Sequence, residues 1–98
     1  QLRVDLTFGV SYDADIKQTK DVLMKVLTSN PKVLNDPAPT VNVSELADSS
    51  VNFAVRPWCT VADYWDVYFE THEKVKIALD AAGIEIPYPH AVEIQKEG

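Results

Sequence analysis

Val51-Asn52-Phe53-Ala54-Val55-Arg56-Pro57 is the stretch on which the fold turns. Val51, Phe53 and Val55 share one face, and Asn52, Ala54 and Arg56 share the other. This two-residue period is that of a half-buried β-strand. Pro57 has no N–H to donate, so the end of this strand sits at an edge or a bulge.

Upstream, Asp48-Ser49-Ser50 reads as a tight turn. Val41, Val43 and, less regularly, Leu46 mark the strand that the turn pairs with it. Before that, Asp36-Pro37-Ala38-Pro39 is a stiff connection, and Asn30-Pro31 ends a helix, because the residue before proline avoids the α region. The helix itself is marked by Ile16, Thr19, Leu23, Val26, Leu27 and Asn30 at helical spacing. Asp13 is expected to cap it, with Asp15 favouring its positive end. Arg3 to Val10 alternates, with Val4, Leu6, Phe8 and Val10 on one face of a first strand.

Downstream, Thr60-Val61-Ala62-Asp63 has the form of a capping box. The following helix, to about Ala82, has an expected apolar stripe of Val61, Tyr64, Trp65, Tyr68, His72, Val75, Leu79 and Ala82. Gly83 is its stop. Ile84 and Ile86 form a short extended piece before Pro87-Tyr88-Pro89, and Ala91 to Glu97 alternates once more.

The order β-α-β-β-α predicts an α+β fold: a ferredoxin-like split β-α-β with two helices on one face of an antiparallel sheet. The expected organisation is a domain over residues 1–89 and a C-terminal strand over 90–98. The chain opens at Gln1 directly on a strand pattern, which reads as the interior of a longer protein.

The bulk numbers exclude several functions. The 98 residues carry 15 acidic against 9 basic side chains, a net charge of −6. Nucleic acid is bound through clustered Lys and Arg, and here they are scattered. Cys59 is the single cysteine, so neither an intrachain disulfide nor a cysteine-based metal cluster is available.

The chemical candidates each have a plainer explanation. The pair Asp13 and Asp15 suits a helix start better than acid–base work. His72 falls on the expected stripe and reads as a histidine satisfied at the rim of the core. His90 is too far from it in sequence for a metal motif. A nucleophilic Cys59 needs a base beside it. Tyr64, Trp65, Tyr68 and Phe69 at helical spacing fill core and interface. Three glycines build no phosphate cradle. No catalytic, cofactor or metal residues are therefore assigned, and the chain reads as a non-enzyme.

Three stretches carry a resemblance. Gly9 to Ile16, Ser49 to Trp58, and Asp80 to Pro89 resemble, in order, the strand-to-helix passage, central strand and closing segment of the C-terminal domain of the small-conductance mechanosensitive channel (MscS) family. Cys59-Thr60-Val61-Ala62 departs from that pattern but keeps the chemistry of a helix start. The resemblance implies a homoheptamer of identical subunits in the inner membrane. This domain would wall a cage on the cytoplasmic side, passing ions and small osmolytes, with no cofactor. It also implies that the last strand joins its copies in a small barrel, with Val92 and Ile94 on one face of the wall. Pro87, Tyr88 and Pro89 then form a stiff strut at the subunit interface.

Two other classes compete. A ferredoxin-like small-molecule-binding regulatory domain would need a polar, Gly-rich loop at a dimer edge. An acylphosphatase-like enzyme would need an Arg-bearing phosphate loop after the first strand, where this chain has the acidic Ser11-Tyr12-Asp13.

Overall fold

The computed structural model describes residues 1–87. The first strand is divided: β1 is Leu2–Arg3 and β2 is Leu6–Val10. The break at Val4-Asp5 corrects the expected single strand. Helix α1 (Ile16–Thr28) follows, then β3 (Thr40–Leu46), β4 (Val51–Arg56) and the short β5 (Trp58–Cys59). A 3-10 turn (Val61–Asp63) leads into α2 (Tyr64–Ala81).

The main sheet has the order β2-β4-β3, and β4 is antiparallel to both neighbours. β2 and β3 are therefore parallel with β4 between them, which is the split β-α-β. Register places Leu6 and Val41 opposite Val55, Phe8 and Val43 opposite Phe53, and Val10 and Leu46 opposite Val51. Directly paired residues point the same way, so all nine lie on one face. A register shift between Val43 and Glu45 inserts Ser44 as an extra residue. That bulge returns Leu46 to the apolar face and accounts for its irregular spacing in the sequence.

The helices close over this face. Leu23, Val26 and Leu27 of α1 and Val67, Val75 and Leu79 of α2 are buried in one cluster with Phe53 and its neighbours. The opposite face carries Thr7, Gly9, Asn42, Asn52 and Ala54, none of them buried. The expected α+β arrangement, two helices on one face of an antiparallel sheet, is the one found.

Pro57 explains the second, smaller sheet. It cannot extend the ladder of β4, and the chain steps sideways there. β5 then pairs antiparallel with β1, and the Val4 amide donates to the Pro57 carbonyl at 2.8 Å.

The helix ends follow local chemistry, with two corrections. Asp15, not Asp13, caps α1: its carboxylate accepts from the Gln18 amide at 2.8 Å. Asp13 is one residue too early, and its own amide donates to the Ser11 hydroxyl. The capping box at Thr60 does not form, because the chain enters α2 through a 3-10 turn and the Thr60 side chain makes no cap bond. At the other end Gly83 takes φ +73°. The Gly83 amide donates to the Asp80 carbonyl and that of Ile84 to the Leu79 carbonyl, a left-handed stop after which buried Ile84 joins the same core cluster as Leu79.

Candidate functional site

The second helix is rotated from its expected phase. The buried positions are Val67, Thr71, Val75 and Leu79. This run recurs every four residues, and its polar member, Thr71, hides it in the sequence. The consequence is that Trp65 and Phe69 face outward, while Tyr64 and Tyr68 stay partly buried against the core as expected. Trp65 is 62% exposed, Phe69 63% and Val61 68%. Trp65 and Phe69 stack at 5.9 Å, and both pack edge-on against Tyr68. Tyr64 meets Trp65 edge-on at 5.0 Å.

His72 extends this surface. It is exposed, which corrects its placement at the rim of the core. Its ring lies 4.7 Å from that of Tyr68 and 5.4 Å from that of Phe8 on β2. Its Nδ1 is 2.8 Å from the Tyr68 carbonyl oxygen. The Tyr68 carbonyl can hold the ring through Nδ1–H, but among the described residues no carboxylate bonds it to raise its basicity as a general base.

The other candidates are scattered. Asp15 is occupied as a cap, and Asp13 stands beside it at the mouth of an open hollow with Glu85. Cys59 is fully buried, and burial, with the nearby Asp63 carboxylate, pushes its thiol pKa up. A buried thiol held protonated is a poor nucleophile. Among the described residues no three His, Cys, Asp or Glu side chains gather as a metal site. Pro87 is half-buried. Tyr88, Pro89, Val92 and Ile94, and the strand expected over residues 90–98, lie outside the described residues.

A polar latch fixes the inner side of α2. Lys32 reaches Asp66 at 3.1 Å and Glu70 at 3.2 Å, and the two carboxylates raise its pKa. Asn30, only 4% exposed, donates to Glu70 at 3.1 Å. The helix is thus held at its first half, next to the exposed rings.

A domain model described as mechanosensitive ion channel MscS, C-terminal, matches residues 4–86. The chain belongs to the MscS family. It is similar to the small-conductance mechanosensitive channel of Edwardsiella ictaluri, with 47% identity over 87 residues, covering 89% of this chain and 30% of that protein. The crystal structure of Helicobacter pylori MscS in a closed state superposes with a TM-score of 0.84 at 31% identity, over 89% of this chain and 35% of that one. A variant of Arabidopsis thaliana MSL1 shares the fold at a TM-score of 0.71 and 17% identity, over 89% and 35% of the two chains. The chain thus spans about a third of the length of its MscS relatives. Among the described residues, no helix is long and apolar enough to cross a membrane.

Proposed function

We propose that this MscS domain is a wall panel of the cage beneath a mechanosensitive channel, on the cytoplasmic side of the inner membrane. In this reading seven identical subunits form the parent assembly. The panels hold the subunits in register and sieve the ions and small osmolytes that leave through the pore under osmotic downshock. The segment after Pro89 supplies the barrel strand that gathers the subunits, with Val92 and Ile94 packing one face of it.

The observation that carries the reading is the stacked Trp65–Phe69 pair, more than 60% exposed on a helix that is otherwise anchored. Exposed aromatic clusters of this kind mark interaction surfaces, and membership of a channel family makes another subunit the natural occupant. The work is mechanical: a rigid sheet backed by two helices, capped and latched, transmits contact without bond chemistry. The acidic balance adds a local bias toward cations where passages narrow to about 8 Å, the screening length at physiological salt.

The test uses the full-length channel. Replacing both Trp65 and Phe69 with Ala is expected to lower the assembled fraction, read by light scattering in detergent, and survival after downshock. Removing Ala91–Gly98 is expected to weaken assembly further. An assembly of unchanged mass and unchanged survival in both variants would sink the proposal.

A further inference from the structure

A second apolar surface lies on the far edge of the sheet. Val41, Val43 and Leu46 all point to the helix-covered face of β3, yet only Val41 is buried, at 4% exposure. Val43 is 37% exposed and Leu46 69%. The helix layer therefore stops short of the hairpin end of β3 and, among the described residues, leaves a shelf of uncovered sheet. Tyr12, 51% exposed, stands beside it, its hydroxyl donating to the Ala47 carbonyl just past Leu46. The bulge at Ser44 is what turns Leu46 onto this shelf rather than onto the polar face.

The two surfaces sit on opposite flanks. β2 and β3 are the outer strands of the main sheet. The Phe8–His72 ring contact places the exposed side of α2 along β2. The shelf belongs to β3. We infer that the Trp65–Phe69 face of one copy seats on the Val43–Leu46 shelf of the next copy, so that the panels join head to tail. This deepens the assembly reading above and rests on it.

Two arguments favour a second copy over a foreign partner. One is symmetry. A two-fold dimer uses a single patch on both chains and would leave the other patch bare, whereas a cyclic contact joins two different patches and covers both with one kind of interface. The other is area. Trp65 and Phe69 together offer roughly 250 Å² of ring surface. With Val61 and the edges of Tyr64 and Tyr68, that comes to about half of the apolar area on one side of a standard interface, which buries roughly 800 Å² per partner. The shelf, with Leu46, Val43 and Tyr12, offers a receiving area of the same order.

Cysteine cross-linking in the full-length channel tests the contact. Leu46→Cys and Phe69→Cys are both at exposed positions, and Trp65→Cys with Val43→Cys provides a second pair. Cys59 stays in place, with the unsubstituted channel as control. Subunits carrying both Leu46→Cys and Phe69→Cys are expected to give a ladder of covalent multimers with a short thiol cross-linker, and each single variant none. A Phe69→Cys variant that links to itself would overturn the head-to-tail contact. So would an intact assembly that links through neither pair. A channel that proves monomeric would remove the assembly reading itself, so the two failures are distinguishable. Leu46→Glu is expected to raise the concentration at which the assembly dissociates by roughly tenfold or more.

Discussion

The side-chain amide of Asn30 donates to the Glu70 carboxylate at 3.1 Å, across 40 residues of chain. Its oxygen accepts from the Lys32 amide at 3.0 Å, so both ends of a nearly buried side chain are used. This residue directly follows the Ser29 C-cap of α1, shapes the loop there, and ties that loop to α2.

Asn30→Ala is expected to cost about 1–3 kcal/mol, because it leaves the part-buried Lys32 amide without its acceptor and Glu70 without one of its donors. A domain of this size loses about 4–8 °C in Tm for each kcal/mol. Thermal unfolding followed by circular dichroism measures it. A shift under 2 °C would mean that the latch contributes nothing.

The phase of α2 has its own test. Val67→Ala, at a fully buried position, is expected to cost about 1–3 kcal/mol, while Phe69→Ala and His72→Ala stay within about 0.5 kcal/mol of the parent. Urea unfolding midpoints of the three variants decide between this phase and the one in which His72 and Trp65 face the core. The reverse order of effects would place the wrong face inward.

Gly9 leaves room for a neighbour. A Cβ there would stand 2.8 Å from Asn52 Oδ1 and 3.1 Å from Ser50 Oγ. Asn52 is held by Glu45 at 3.1 Å and Ser50 at 2.7 Å, so it does not move freely. Gly9→Ala is expected to destabilise by about 1–2 kcal/mol, and Asn52→Ala in the same chain to relieve part of that. Additive effects in the double-mutant cycle would rule out the contact.

Gly83→Ala is expected to cost about 1–2 kcal/mol through its left-handed backbone alone, since a Cβ there meets no atom within 4 Å. Gly83→Asn should cost less, because asparagine tolerates this region better than alanine does. Equal losses in the two variants would point to something other than backbone conformation.

The pH dependence has opposite signs at its two ends. The Arg3 guanidinium, bonded to Asp5 at 2.6 Å, lowers the Asp5 pKa. Its contribution is present above the ordinary carboxylate value and is lost as pH falls through the depressed one. Lys32 is raised by Asp66 and then Glu70, so its contribution is complete below its ordinary 10.5 and is lost as pH rises through the higher value. Both groups are well exposed, which keeps the effects small. Subtracting the stability curve of Lys32→Met from that of the parent should leave a fall at pH above about 10.5, and Asp5→Asn a fall on the acid side. A flat difference curve in either case removes that pair from the account.

The sequence alone determined the order of the main elements, β2-α1-β3-β4-α2, and through it the fold, but not the break in the first strand or the short β5. Alternation at Leu6–Val10 and Val51–Val55, proline stops at Pro31 and Pro57, and Gly83 after α2 are local signals, each set by steric and hydrogen-bond preferences within a few residues. Tertiary structure decided which face of α2 is buried and where the sheet is left bare. Leucine and valine at 67, 75 and 79 fit the core beside Phe53, while the larger rings at 65 and 69 are turned outward. Periodicity reports that a helix has an apolar side. When aromatic residues occupy more than one side, only the volume left between sheet and neighbouring helix selects the side that goes in. The shelf at Val43 and Leu46 was illegible for the same reason: their spacing marks a sheet face, and whether a helix reaches far enough to cover it is settled by packing.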